Sequence, residues 1–467
     1  MSGTQKSSQS IGESGVSLRP LPLPDFGVPD ERPELPEAEY ENRIDALRAS
    51  AGTEWIVVYG DREHFANLAY LTRFDPRFEE AVLVLGPDDV RCLLVGNEGL
   101  GYGSIAVVPP LDIVLCQSLS LMGQDRSNSP SLRRCLADMG IGSGDRVGVV
   151  GWKYFSAEEW EGSSPGIAVP AFLLDSLRDL VSDEGAVEDI TPALLNPEHG
   201  LRSHASADQI AAFEWAASRA TRAVMRIVTG TRPGMTELEA TSRMGYQGEP
   251  LSAHVMFASG TGDIVGLRSP TARTIRERDA VTTGIGYWGG LGCRAGIVRS
   301  GDDPDFTREL GAPYFRAIAA WYETVNIGTK GGEIFDAIEE ALISTSFRSM
   351  LNPGHLTHLD EWAHSPIVKD GTVPIASGMA LQCDIIPTPA GPGRALNCED
   401  PVVIADADLR GELANRYPDV WERIVARQRF MRDEIGITVA DGLLPLSSSP
   451  AYLPPFWLDH DHVYVRL

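Results

Sequence analysis

Apolar residues in the first half of the chain occur in short runs that end at turn residues. From Glu39 onward these runs read WIVVYG, AVLVLG, RCLLVG, DIVLC and RVGVVG, and segments with helical spacing such as SLRRCLADMG separate them. Short apolar runs bounded by turn residues and alternating with helical segments are typical of an α/β domain. We therefore predict such a domain over residues 39–200.

The second half begins with a helix that has clear start and stop signals. Ser206 and Gln209 have the spacing of a capping box, and Gly230 ends the pattern. Apolar residues recur between them at intervals of three and four, at Ile210, Phe213, Ala217, Ala220, Val224 and Ile227. A second, shorter helix is predicted to begin at Thr236, with Glu239 in the capping-box position.

The same order of elements occurs again further along the chain. A helical stripe precedes GTKGGEIFDAIEEAL and consists of Tyr314, Phe315, Ile318, Trp321, Tyr322 and Val325. Strand-like sequence follows each helical part: VTTGIGYWGG and AGIVR, then MALQCDII and NCEDPVVIAD. This order predicts an internal duplication of helix-helix-strand-strand units whose strand faces meet in one cleft. The alternative is the ordinary regularity of an α+β domain.

Both ends of the chain differ in composition from the rest. Residues 1–38 are rich in Ser, Gly and Pro, which disfavours helices and central strands and predicts a flexible or draped arm. We assign residues 201–437 to the second domain and residues 438–467 to a C-terminal tail, so the fold class is α+β. The tail, PAYLPPFWLDHDHVYVRL, offers apolar anchors for a homodimer, and the alternative is that it packs on its own domain.

Charge and cysteine usage restrict the partners and the compartment. The chain has 65 acidic and 40 basic residues, a formal charge of -25 that repels phosphate backbones and anionic lipid surfaces. Six cysteines lack CxxC or zinc-finger spacing, which favours reduced thiols. The start, MSGTQKSSQSIGESGV, has no apolar signal core, and no later stretch has the length of a membrane span. We predict a cytoplasmic protein that binds neither nucleic acid nor membranes.

Two predicted strands carry the most informative polar residues. Alternation places Gln382 and Asp384 on one face of the first strand, and Asn397 and Glu399 on one face of the second. The two carboxylates would then face one pocket, whereas the alternative is a solvated sheet face.

Upstream, the segment GHLTHLDEWAHSPI contains His355, His358 and His364. We predict that this segment is a loop, because prolines and glycines interrupt any helix. Their convergence with the carboxylates would give them a chemical role.

The order of these features resembles the creatinase/aminopeptidase P family, which has the pita-bread fold. LRSHASADQIAAFEWAASRA is similar to its domain-entry helix, and RPGMTELEA to its PGxTExE turn. GHLTHLDEW is similar to its metal-histidine segment, and GMALQCDII and NCEDPVVIAD to its two glutamate strands. The resemblance covers about residues 200–435 and implies an N-terminal creatinase-type domain before a pita-bread domain with pseudo-two-fold duplication.

Metal-dependent members of that family hold two metal ions with two aspartates, a histidine and two acidic residues. The resemblance places the histidine at His355 and the acidic ligands at Asp384 and Glu399. The two aspartates are missing, because the first maps to Gly284 and the second to Arg294 or Ala295 in TTGIGYWGGLGCRAGIV. We therefore expect no metal cofactor, although the three remaining ligands would hold a single ion weakly. His254 matches another histidine of the family.

The resemblance thus implies a metal-independent hydrolase, or a lyase, that acts on a C–N bond of a small polar amino-acid-like molecule. His355 or His254 would be the general acid/base, while Asp384 and Glu399 would position water or a substrate cation. Arg268 or Arg294 would bind a substrate carboxylate, with further contacts from the amides of residues 382 and 397. One alternative is a metal-dependent Xaa-Pro peptidase with altered ligands and dipeptide-like substrates. Another is a non-catalytic relative that binds peptides or proteins.

Overall fold

The computed structural model describes residues 15–106, 111–162, 166–264 and 266–467. The chain forms two compact units. One spans Glu34–His204, and the other combines Ala205–Leu467 with the segment that ends at Pro33.

Part of the segment predicted as a flexible or draped arm, residues 1–38, is a regular strand. Strand β1 (Val16–Pro20) pairs antiparallel with β17 (His462–Arg466). The strand tolerates a proline because Pro20 is its last residue. The missing N–H of Pro20 therefore costs no internal hydrogen bond of the ladder. Residues 1–14 of the predicted arm lie outside the described residues.

The unit Glu34–His204 contains a six-stranded mixed sheet. Its strands are β2 (Trp55–Gly60), β3 (Ala81–Leu85), β4 (Arg91–Val95), β5 (Asp112–Leu115), β6 (Arg146–Val150) and β7 (Ala186–Asp189). Its helices are α1 (Glu37–Ala51), α2 (Ala66–Thr72), α3 (Asn97–Ala106), α4 (Leu132–Met139), α5 (Ala171–Val181) and α6 (Pro192–Leu195). The strand order is β5-β4-β3-β2-β6-β7, and each of the five apolar runs read from the sequence contains one strand.

The larger unit is built on a seven-stranded sheet in the order β12-β13-β15-β10-β9-β8, with β16 beside β15. Its remaining strands are β8 (Leu251–Gly260), β9 (Ala280–Tyr287), β10 (Gly290–Ile297), β11 (Arg348–Ser349), β12 (His355–Leu356), β13 (Ala380–Cys383), β14 (Pro387–Thr388), β15 (Asn397–Ile404) and β16 (Leu443–Pro445). Its helices are α7 (Ala207–Gly230), α8 (Glu237–Thr241), α9 (Pro304–Phe306), α10 (Ala312–Thr324), α11 (Gly331–Leu342), α12 (Ala407–Arg416) and α13 (Pro418–Phe430).

Helices α7 and α8 begin where the capping residues of the sequence indicate. The Ser206 hydroxyl accepts a hydrogen bond from the Gln209 backbone N–H, and Thr236 forms a reciprocal capping box with Glu239. Helix pair α7–α8 precedes β8–β10, and helix pair α10–α11 precedes β13 and β15. The duplication itself stays a prediction. Strands β10 and β15 pair antiparallel in the middle of the sheet, so the two sets of strands meet there.

The C-terminal tail packs inside its own unit. Phe456 and Trp457 are completely buried, and β17 is held by β1. The tail therefore does not offer the exposed apolar anchors on which the homodimer prediction was based. The homodimer stays a prediction without that support.

Within the parts of the chain that the structure describes, no helix combines the length and the apolar character needed to cross a membrane. All six cysteines are free and buried.

Candidate active site

The pairing of β13 with β15 brings two carboxyl groups together. Gln382 lies opposite Pro401 and Cys383 opposite Asp400, so the next step of the same register places Asp384 opposite Glu399. Asp384 is 4% exposed and Glu399 is 7% exposed. Two adjacent carboxyl groups in a buried site cannot both ionise at low cost, so they share a proton.

Burial dominates the electrostatics of this carboxyl pair. It raises the pKa of Asp384 well above its usual range, and the charges of Glu399 and Glu361 raise it further. Burial also raises the pKa of Glu399, to about 7, although a hydrogen bond from Asn397 opposes that shift. Both carboxyl groups therefore hold a proton more readily than exposed carboxyl groups do.

His355 lies beside the carboxyl pair on the edge strand β12. Its register partner is Gln382, its side chain is fully buried, and its ring stacks on Trp362 at 4.1 Å with an angle of 19°. The Nδ1 atom lies 3.2 Å from the Leu356 carbonyl, which only accepts hydrogen bonds, so Nδ1 carries a hydrogen. The Nε2 atom faces two acids, at 3.1 Å from Glu361 Oε1 and 3.9 Å from Asp384 Oδ2.

The two amides next to the carboxyl groups have different environments. Asn397 Nδ2 donates to Glu399 Oε1 at 2.5 Å, while the Tyr314 hydroxyl donates to Asn397 Oδ1 at 3.3 Å. Gln382 Nε2 donates to the Leu291 carbonyl at 2.9 Å. Among the described residues, no hydrogen bond reaches the buried Gln382 Oε1. This oxygen is therefore a buried acceptor that no donor of the described residues satisfies.

The hairpin β9–β10 contributes small and neutral side chains to the face that bears Glu399. Cys293 lies opposite both Glu399 and Gly284, and Ala295 lies opposite Asn397. The Cys293 sulfur accepts from Asn397 Nδ2 at 3.4 Å. Burial raises the pKa of the Cys293 thiol well above its usual value. The thiol is therefore neutral, which makes it a poor nucleophile.

Arg294 contacts neither carboxyl group of the pair and is engaged with the protein, contrary to the prediction that it would bind a substrate carboxylate. It lies opposite Cys398, so its side chain is on the other face of the sheet. There its Nη2 donates to both oxygens of Asp400 at 2.9 Å, and its Nε donates to the Tyr452 carbonyl at 2.8 Å. Burial lowers the pKa of Arg294, but Asp400 more than offsets this, so the net pKa is raised.

Arg268 is likewise engaged with a protein carboxylate, contrary to the prediction that it binds a substrate. Its Nη1 and Nη2 atoms donate to the two oxygens of Glu237 at 3.0 and 2.8 Å. Burial would raise the pKa of Glu237, but hydrogen bonds from Arg268, Ser259 and Thr271 lower it to about 2. The Arg268 guanidinium thus fixes the buried start of α8.

His254 lies apart from the contacts that join His355 to the acids. It is exposed and sits at a register shift between β8 and β9, where its Nε2 contacts the Leu267 carbonyl at 2.7 Å. The register shift breaks the alternation of inward and outward side chains along β8, and the His254 side chain points outward. Of the other two histidines, His358 is buried against Phe213, and burial lowers the pKa of His364.

His355, Asp384, Glu399 and Glu361 form one group of side chains, which we call the acid cluster. Glu361 is the member of the acid cluster that the sequence analysis missed. It lies one residue before Trp362, and its carboxyl group faces His355 Nε2. Glu361 lies in a segment without helical or strand periodicity, so the sequence did not indicate which way its side chain points. The only available signal was its position within the histidine-rich segment GHLTHLDEWAHSP.

The donor set does not fit the two-metal site that the resemblance implies. The positions expected for the aspartates have Gly284, with no side chain, and Ala295, with no donor atom, while Arg294 faces away. Across the four described stretches of the chain, the only three candidate ligand side chains gathered within 4.8 Å of one another are Asp459, Asp461 and His462. A metal ion here would have His355 and the neighbouring acids as ligands, without the two aspartates that the family's two-metal site uses.

Neither a protein-family model nor a curated protein matches this sequence. The structure is similar to the Xaa-Pro dipeptidase from Bacillus anthracis, at 15% identity and a TM-score of 0.59, over 79% of this chain and 96% of that chain. The chain has the fold of the prolidases. It is also similar to dipeptidase PepE from Mycobacterium ulcerans, at 20% identity and a TM-score of 0.57, over 80% and 95% of the two chains.

A third similar structure is the X-Pro aminopeptidase from Thermotoga maritima, at 14% identity and a TM-score of 0.60, over 78% of this chain and 94% of that chain. At such identities the similarity concerns the fold. The mixed α/β fold of the prolidases, expected from the resemblance, is therefore confirmed, whereas the domain arrangement and the duplication stay predictions.

Proposed function

We propose that this chain is a metal-independent hydrolase that cleaves a C–N bond in a small, amino-acid-like molecule carrying a positive charge. The observation that supports this most is the charge of the cluster. Glu361 and Asp384 face Nε2 of one imidazole, that of His355, and Glu399 lies beside Asp384. Among the described residues, no arginine or lysine forms an ion pair with these three acids. A cation is the ligand that this excess of acid favours.

His355 is the proposed general acid/base. Its Nδ1–H is held by a backbone carbonyl, so Nε2 is the atom that exchanges protons with Glu361 and Asp384. In hydrolysis, water adds to the carbon of the scissile bond and gives up one proton to the cluster, and the departing nitrogen receives one proton from it. The cluster ends with the number of protons it began with.

The carboxyl pair has a separate proposed role in binding. Ionised Glu399 attracts the substrate cation, whereas protonated Asp384 donates a hydrogen bond to the reacting group or to water. Gln382 Oε1 accepts from a substrate N–H. Since Arg268 and Arg294 are both engaged with protein acids, neither is assigned to the substrate carboxylate.

Replacing His355 with glutamine is expected to lower turnover by about 10²–10⁴-fold, the usual contribution of a general acid/base. The assay measures cleavage of the C–N bond in small, positively charged, amino-acid-like molecules, and of the peptide bond in Xaa-Pro dipeptides. His364→Gln is the matched control and should retain activity, because His364 lies outside the acid cluster. Melting curves check that both variants are folded. Unchanged turnover in His355→Gln would show that His355 is not the general acid/base.

Three further measurements separate this proposal from its alternatives. Activity that a chelator abolishes and a divalent ion restores would favour a metal-dependent Xaa-Pro peptidase. Binding of peptides that is insensitive to His355→Gln, without turnover, would favour a non-catalytic relative. Incorporation of ¹⁸O from labelled water into the product distinguishes hydrolysis from elimination. A homodimer in the cytoplasm remains the proposed setting.

A further inference from the structure

A cavity of about 390 Å³ lies between α10 with the turn before it, the segment that follows α11, and the loop that precedes β15. We call it the arginine pocket. Its polar lining consists of Arg308, Glu309, Arg316, Ser344, Thr345, Ser346 and Arg394. Its size is within the range of small-molecule sites.

The arginine pocket has an excess of positive charge. Glu309 is its one acidic lining residue, and both of its oxygens are used: Arg308 Nη2 lies 3.1 Å from Oε1, and Arg394 Nη1 lies 2.8 Å from Oε2. Arg308 also contacts Asp305 outside the lining. In the part of the chain that the structure describes, Arg316 makes neither a hydrogen bond nor an ion pair. Its guanidinium is therefore available to a ligand.

This positive cavity contrasts with the chain as a whole, whose formal charge is -25. Each arginine presents five N–H donors in a planar fork that matches the oxygens of phosphate. Ser344 and Ser346 are exposed, and their hydroxyls add donors at the rim. The arginine and serine donors of the lining thus outnumber its one carboxylate.

The walls of the pocket are fixed by the fold. Leu310 and Phe347 line it and are each 2% exposed, so they belong to the core. Strand β11 follows Phe347 directly and pairs with β14, which places Arg348 opposite Thr388. A pocket with fixed walls loses little entropy when a ligand binds.

We propose that the arginine pocket binds a phosphoryl group, as free phosphate or as part of a small phosphorylated molecule. Acetate, with one charge and two oxygens, satisfies fewer of the donors. Nucleic acid is disfavoured because the overall negative charge repels a long phosphate backbone. This site does not depend on the hydrolase proposal, because none of its residues belongs to the acid cluster.

Isothermal titration calorimetry of the full chain tests the site with inorganic phosphate, pyrophosphate and acetate at constant ionic strength. We expect saturable binding of one phosphate or pyrophosphate per chain and none of acetate. Arg316→Gln should weaken binding by about tenfold or more, the value of one charge-assisted hydrogen bond. Arg429→Gln is the matched control, an exposed helical arginine on α13 that should bind as the wild type.

Arg394→Gln is a second variant at the rim, in case Arg316→Gln melts early. The proposal is overturned if neither anion gives saturable binding, or if acetate binds as tightly as phosphate. It is also overturned if both pocket variants bind like the wild type, or if Arg429→Gln loses as much affinity as they do. Tighter binding of pyrophosphate than of phosphate would indicate a phosphorylated molecule as the ligand.

Discussion

Arg294→Ala is expected to lower the free energy of unfolding by about 3–5 kcal/mol, the usual cost of removing one partner of a buried ion pair. Arg294 and Asp400 are each 1% exposed and are joined by two bonds of 2.9 Å. Without the guanidinium, the Asp400 carboxylate keeps hydrogen bonds from the Ser447 hydroxyl and the Ala451 N–H but loses its countercharge. A carboxylate buried in this way is costly.

The same guanidinium also holds backbone groups in place. Its nitrogens donate to the carbonyls of Tyr452, Cys293 and Glu399, at 2.8, 2.7 and 3.2 Å. Arg294 therefore connects β10 and β15 to the C-terminal tail, behind the strand that presents Glu399. Loss of these bonds should loosen the site as well as the tail, so we expect lower activity in any Arg294→Ala protein that remains folded.

Urea unfolding of the wild type and the variants measures this effect. The double variant Arg294→Met with Asp400→Leu should recover part of the loss, because it leaves no buried charge. The exposed control Arg429→Ala should lose only a few tenths of a kcal/mol, about the value for a surface substitution. A loss in Arg294→Ala no larger than in that control would contradict the structural role of the ion pair.

The strands of the smaller unit were predictable because each is a short apolar run that ends at a turn residue. The burial of β2 and β3, whose residues are all buried, explains why their sequences are continuous runs rather than alternating ones. Helices α7 and α8 were predictable because serine and threonine caps mark their first turns. Local signals of this kind need no knowledge of distant contacts.

The direction of Arg294 could not be predicted, because the answer depends on the register of β10. A shift by one residue moves a side chain to the other face of a strand. The turn at Gly289, which has φ +110° and lies against Phe213, ends β9 and sets that register. The sequence left a one-residue gap at this hairpin, so Arg294 and Ala295 were equally good matches to the lost aspartate.

Long-range ion pairs account for the other errors. Arg268 is paired with Glu237, 31 positions away, and the partner of Arg294 is 106 positions away. A sequence shows the charge of an arginine but not which acid takes it. The directions of the Asp384 and Glu399 side chains were easier to predict, because the alternation of side chains within each strand determines them.

Replacing Glu399 with glutamine is expected to flatten the pH dependence of stability between about pH 4.5 and 7. Burial holds the pKa of Glu399 at about 7 in the folded chain, against 4.5 as its ordinary value. The folded chain therefore keeps a proton in that range that the unfolded chain has released. Stability from this group is complete below pH 4.5, falls as the pH rises towards 7, and is gone above it.

The expected difference between wild type and Glu399→Gln follows from this window. About 1.4 kcal/mol accompanies each pH unit, so the wild type should lose about 3 kcal/mol across the range that the variant does not lose. Asp384 strengthens the effect, because its own raised pKa depends partly on the charge of Glu399, which glutamine removes. Urea unfolding at several pH values measures the difference, with the exposed Glu422→Gln as the matched control. Parallel pH curves for the wild type and Glu399→Gln would mean that the two carboxyl groups do not share a proton, and the cation-binding role proposed for them would lose its basis.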